Sequence, residues 1–175
     1  MTEEVEGGVV KPADNRIVVG VDGSPCSSEA LRWAFRVALA TDAEIDALLV
    51  WSDPWSISGP PSLIGAGREG VARLRALLAE RVRRAAEAEH AESVRVTQRV
   101  VPGHPAEVLV AESSGARLLV VGTTGMSGLR RIMLGSVSQR CAQLSRIPTV
   151  LVPLPAEQPA PEQAEAVAVD DAGST

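Results

Sequence analysis

The stretch that decides the fold is RIVVGVDGSPCSSEALRWAFRVAL, Arg16 to Leu39. Arg16 to Val21 (RIVVGV) is a short apolar run rich in valine and isoleucine, the pattern of a strand buried on both faces. Asp22, Gly23, Ser24 and Pro25 close it with turn chemistry. Ser27 or Ser28 then offers an N-cap for a helix in which Ala30, Leu31, Ala34, Val37, Ala38 and Leu39 recur at core-facing spacing. A buried strand followed at once by an amphipathic helix is the first half of a parallel β-α-β unit.

The same alternation continues along the chain. Ile45 to Trp51 (IDALLVW) reads as a second strand, and residues 52–67 as a Pro/Gly/Ser-rich loop long enough to be a lid or a mobile connection. A helix from Arg68 to Glu89 places Val71, Leu74, Leu77, Leu78 and Val82 on one side. Val94 to Val101 alternates apolar with polar residues, as a strand near a sheet edge does. Pro105 suits the first position of a third helix, whose apolar face is Val108, Leu109 and Ala111. Leu118 to Gly122 (LLVVG) is a fourth strand; a helix from Ser136 to about Ser145 and a short strand, Thr149 to Val152, complete the series. This order predicts an α/β fold: an open, doubly wound, five-stranded parallel sheet, Rossmann-like, with strand order 3-2-1-4-5 and helices on both faces.

Charge marks the limits of the domain. The formal net charge is −5; residues 1–14 contribute −3 and residues 154–175 contribute −5, so the residues between carry +3. Residues 1–13 and 154–175 are therefore expected to be disordered acidic tails flanking a domain at 14–153, the second tail being Ala, Glu, Pro and Gln with little bulky apolar content. A mildly basic domain suits a small phosphate-bearing ligand and lacks the dense basic stripe of a nucleic-acid binder. The N-terminus is acidic and has no apolar core of a signal peptide, and no apolar run reaches the ~18 residues of a membrane span. Two cysteines, Cys26 and Cys141, make no disulfide framework. These features lead us to expect a cytoplasmic protein with no membrane partner.

In such a sheet, ligands bind beyond the carboxyl ends of the strands where neighbouring crossovers leave on opposite faces. That point lies between strands one and four. The loops there are Asp22-Gly23-Ser24 and Gly122-Thr123-Thr124-Gly125, the latter followed by nine residues and Gly135-Ser136. Glycines at 122, 125 and 135 are free to take positive φ and let backbone N–H groups approach an anion. Ser136 opens a helix and adds free amides and the positive end of its dipole. Thr123, Thr124 and Ser138 offer hydroxyls nearby, and Arg130 and Arg131 offer charge, or else form a solvated face. For Asp22 two roles stand open: ligand contact, or a turn aspartate bonded to its own backbone.

Gly122-x-x-Gly125, nine residues, Gly135-Ser136 resembles the Gly-x2-Gly-x9-Gly-Ser/Thr nucleotide motif of the ATP-binding branch of the universal stress protein family. VVGVDGSPCSSEALRWA and VPGHPAEVLV are similar to that family too, so the resemblance spans roughly residues 14–153. It implies that Gly122, Gly125, Gly135 and Ser136 contact phosphates and ribose, that Asp22 faces the adenine, and that Val50 sits beside the base. With Thr123, Arg131, Val137 and Ser138 these make the candidate nucleotide-binding set. The resemblance implies ATP as ligand, a regulatory role in stress response, and a homodimer through the last strand, Thr149 to Val152.

Absences limit the chemistry. No Gly-x4-Gly-Lys-Ser/Thr motif occurs, and Lys11 is the only lysine. No paired acid and base flank the glycine loop, and His104, before Pro105, is a helix-boundary residue without an evident orienting acid. A binding protein is expected rather than an enzyme, with a slow ATPase or a ligand-free interaction module as the alternatives. No metal-ligand cluster is visible, so Mg²⁺ or Mn²⁺ would arrive on the phosphates of the nucleotide.

Overall fold

The computed structural model describes residues 14–51, 68–124 and 134–155. The segments 1–13, 52–67 and 156–175 lie outside the described residues, as do Gly125, Arg130 and Arg131 of the glycine loop.

Among the described residues nine elements alternate: β1 (Asp14–Gly20), α1 (Pro25–Thr41), β2 (Glu44–Trp51), α2 (Arg68–Ala88), β3 (Val96–Pro102), α3 (Pro105–Glu112), β4 (Ala116–Gly122), α4 (Ser136–Leu144) and β5 (Thr149–Val152). All strand pairs are parallel, and the sheet order is β3-β2-β1-β4-β5. The expected α/β architecture and strand order are those observed.

Successive residues of β1 serve opposite faces. Ile17 and Val19 enter a core with Leu31, Phe35 and Leu78 from α1 and α2, whereas Val18 joins Leu109 and Cys141 from α3 and α4. The chain thus runs outward from β1 to β3 with its helices on one face. It then returns to β4 and β5 with helices on the other, leaving β1 and β4 adjacent where the crossovers diverge.

The cap of α1 differs from expectation. Ser24, not Ser27 or Ser28, occupies the N-cap, and its Oγ accepts the Ser27 N–H at 3.1 Å. Pro25 explains the shift: with φ fixed and no N–H to satisfy, it fits the first helical position and places the cap at Ser24, the residue before it. Leu39 and Ala111, expected in the core, are exposed, while Ala38 and Leu109 are buried.

Asp46 is a charged residue within the apolar run of β2. It is 4% exposed, and its carboxylate accepts from Arg16 at 2.9 Å and from Arg99 at 2.7 and 3.1 Å. Arg99 also donates to Glu112 at 2.8 Å, so β1, β2, β3 and α3 are tied together near the amino-terminal ends of β1 and β2, away from the crevice. No helix among the described residues is long and apolar enough to cross a membrane.

Candidate functional site

At the carboxyl ends of β1, β2 and β4 a cavity of about 210 Å³ opens against the first turns of α3 and α4. Of the residues singled out in the sequence, Asp22, Val50, Gly122, Gly135, Ser136, Val137 and Ser138 all line it. Thr123 does not, and Gly125 and Arg131 lie outside the described residues.

One part of the wall is apolar: Leu48 and Val50 from β2, Val121 from β4, Leu109 from α3, and Val21, the residue that follows β1. The opposite part is the start of α4. Its first intrahelical bond runs from the Gln139 N–H to the Gly135 carbonyl at 2.9 Å, so the amides of Ser136, Val137 and Ser138 have no acceptor inside the helix. Three uncommitted donors and the positive end of the α4 dipole meet there.

That turn is anchored to β4. The Gly135 N–H donates to the Thr123 carbonyl at 2.7 Å, and the Ser138 hydroxyl lies 2.8 Å from the same carbonyl and 2.9 Å from that of Gly135. Thr123 spends its own N–H on the Val152 carbonyl at 3.0 Å, which joins the anchor to β5. Thr123 therefore serves as the hinge post of the site rather than its lining, and the Gly135 amide, expected to face an anion, is already bonded.

The glycines have different reasons from those expected. Neither Gly122 nor Gly135 takes a positive φ; Gly135 is an extended N-cap residue with φ −65° and ψ 157°. A Cβ on Gly122 would lie 2.7 Å from the Cys26 Cβ and 2.8 Å from its carbonyl carbon. Glycine is needed there because β4 ends against the backbone of α1. Gly23, with φ +83°, is the position where the left-handed region is used, in the turn after β1.

Of the two roles open for Asp22, the structure shows the turn role and places the residue at the cavity. Its Oδ1 accepts the Ser24 N–H at 2.9 Å, a turn aspartate, while the residue is exposed and lines the cavity. Ser27 accepts the Asp22 N–H at 3.4 Å and donates to the Ser24 carbonyl at 2.9 Å, which knits this turn to α1.

Thr124 also lines the cavity, and its hydroxyl is 3.0 Å from the Cys26 Sγ. Burial pushes the Cys26 thiol up, but hydrogen bonds from the side chain and backbone of Thr124, and from Thr123, outweigh it and hold the thiol below its usual value. Cys141, with burial alone acting on it, is pushed up to about 11.

Asp22 is the one charged residue of the described lining, and the described residues hold no group of three or more metal-ligating side chains. An anion here would be met by main-chain dipoles. A divalent ion would need ligand oxygens beyond those of Asp22, as the phosphates of a nucleotide provide.

Leu48, Pro105 and Leu109 were not foreseen as site residues. Leu109 belongs both to the core and to the site: its methyl groups pack on Gly20, where an added Cβ would stand 2.9 Å from Cδ1. The useful signal is position, since Leu48 and Val50 end a strand beside the crossover point and Pro105 opens the helix above it.

Comparison with known proteins agrees with this geometry. Residues 15–153 match the family model described as the universal stress protein family. A universal stress protein of Mycolicibacterium smegmatis is 38% identical over 136 residues, 78% of this chain and 45% of the relative, so the chain spans about half the length of that protein. Universal stress protein YxiE of Bacillus subtilis is 32% identical over 147 residues, 79% of this chain and 98% of the relative. Among solved structures, a universal stress protein in complex with cAMP superposes with a TM-score of 0.58 at 29% identity, covering 78% of this chain and 94% of the other. From the parallel sheet, the crevice at its crossover point and these matches, the chain belongs to the universal stress protein family.

Proposed function

We propose that this protein binds an adenine nucleotide, ATP, in the crevice between β1 and β4, and that it acts as a regulatory protein through nucleotide-dependent conformation. The observation that carries this reading is the juxtaposition of uncommitted amides on the first turn of α4 with an apolar slot closed by Val50 and Leu109. A nucleotide has the matching polarity, a flat base at one end and anionic oxygens at the other. The cAMP complex of a relative supports the adenine portion.

In this reading Val50, Leu48 and Leu109 flank the base, and Asp22 faces the adenine. Ser136, Val137 and Ser138 offer amides to the phosphates. Gly122 and Gly135 hold the frame, while Gly125 and Arg131, on the loop between β4 and α4, complete the phosphate side. Each amide-to-phosphate bond contributes about 1.5–3 kcal/mol, so three of them with burial of a base reach the ~8 kcal/mol of micromolar affinity. Any Mg²⁺ or Mn²⁺ is carried by the phosphate oxygens.

The test is to purify the protein without added nucleotide, identify what it carries by mass spectrometry, and titrate ligand-free protein with ATP by calorimetry. Co-purified adenine nucleotide or micromolar ATP binding is expected. Ligand-free protein that shows no heat and no thermal shift in millimolar ATP refutes the proposal.

We further propose a homodimer through β5. This edge strand, Thr149–Val152, is short and only partly buried apart from Val152. Apolar edges of this kind need a partner or a cover. Sedimentation at micromolar concentration is expected to give a dimer; a monomer alone refutes this part.

A further inference from the structure

A second, more open cavity of about 280 Å³ lies beside the first and shares Pro105, Ser136 and Val137 with it. His104, Ala106, Glu107 and Arg140 complete its lining, so it is a shelf between the first turns of α3 and α4. Arg140 is the one arginine or lysine lining either cavity among the described residues.

Arg140 follows Ser136 by four residues and therefore stands on the same face of α4. Helical side chains lean toward the N-terminus, which carries its guanidinium back over the turn whose amides are uncommitted. Its partner is Glu107 at 3.2 Å, and the two side chains are 60% and 55% exposed. Such a pair is weak and readily exchanged, whereas arginine with a phosphate makes charge-assisted, often bidentate bonds.

We propose that Arg140 is a specificity-determining residue that counts phosphates: it leaves Glu107 to bind the terminal phosphate of a nucleoside di- or triphosphate extending over Ser136 onto the shelf. This inference rests on the nucleotide reading given above. On this proposal a monophosphate is held by the α4 amides without Arg140 and leaves the Arg140–Glu107 pair intact. Glu107 acts against the longer ligand twice, by occupying Arg140 and by repelling the phosphate, so it sets how far polyphosphates are preferred.

The experiment is calorimetric titration of the full chain with ATP, ADP and AMP in the presence of Mg²⁺, for the wild type, Arg140→Gln and Glu107→Gln. Both side chains are more than half exposed, so both variants keep the fold. Loss of one exposed charge-assisted contact is expected to weaken ATP about tenfold in Arg140→Gln, with AMP unchanged. Glu107→Gln is expected to strengthen ATP severalfold, again without effect on AMP. An unchanged ATP-to-AMP affinity ratio in Arg140→Gln, or an equal loss for both ligands, overturns the proposal while leaving the nucleotide reading intact. A wild type that binds none of the three removes that reading and this inference together.

Discussion

Replacing Ser136 with proline probes the proposed anion seat with little disturbance to the first turn of α4. Ser136 is the first residue of α4, where proline is favoured because its N–H would have no intrahelical acceptor and its fixed φ already suits the helix. The preceding residue must be extended, and Gly135 is, with ψ 157°. The substitution therefore removes one uncommitted amide and one hydroxyl while the Gln139-to-Gly135 and Gly135-to-Thr123 bonds remain. A charge-assisted bond is worth about 1.5–3 kcal/mol, so ATP affinity should fall roughly 10- to 100-fold. Ser136→Ala is the control: it keeps the amide, loses the hydroxyl, and should fall by less. Calorimetry gives the affinities and thermal unfolding of the ligand-free proteins checks the fold, with melting points expected to agree within a few degrees. Proline-variant affinity equal to that of the wild type, with the fold intact, would show that the α4 amides do not hold the ligand.

Three further outcomes follow from the packing and the titrating groups. Gly122→Ala forces a Cβ onto the Cys26 backbone and should cost about 1–3 kcal/mol of stability in urea unfolding, before any effect on ligand; unchanged stability would contradict the close approach of β4 to α1. Burial pushes the Glu89 carboxyl up, but the guanidinium groups of Arg32 and Arg36 outweigh it and hold it below its usual 4.5. A depressed folded-state value means that its stabilisation is complete above pH 4.5 and is lost as pH falls through the folded value. Glu89→Gln should therefore be less stable at pH 7 and lose less on acidification, and parallel acid-unfolding curves for the two proteins would refute this. Both cysteines are buried, Cys26 to within 3% and Cys141 completely, and Cys26 is the one whose thiol is held below its usual value; thiol labelling at pH 8, followed by mass spectrometry, should therefore modify Cys26 faster than Cys141, and equal rates would refute this.

The fold was legible because each element announces itself twice, by apolar period and by its boundary residue. Arg16 to Val21 could hardly be anything but a buried strand, and Gly135-Ser136 could hardly fail to begin a helix. Boundaries slipped where turns borrow apolar residues. Val94 has the apolar character of a strand residue, yet its N–H bonds the Ala91 carbonyl at 3.1 Å in a turn, and β3 begins only at Val96. Asp46 was invisible for a different reason: nothing in IDALLVW says that its carboxylate meets Arg16 and Arg99, which are remote in sequence. In the site, the helix start was readable from local chemistry. Leu109 was not, because an apolar residue that packs on Gly20 looks the same in sequence whether or not another face of it borders a cavity.

The resemblance makes the glycine-spaced pattern a set of ligand contacts, and the structure gives two of its members, Gly122 and Gly135, an architectural part. Gly122 lets β4 finish against α1, and the next residue, Thr123, offers its carbonyl to both the Gly135 N–H and the Ser138 hydroxyl. Those two bonds fix where α4 begins relative to the sheet, and so fix the three amides that follow. A seat held this way loses little freedom when a ligand arrives, which is where a shallow site made of main-chain donors gains affinity. The spacing is then a property of the frame as much as of the phosphate. A substitution at Gly122 and one at Ser136 can weaken the same ligand through different causes, the first through stability and the second without it.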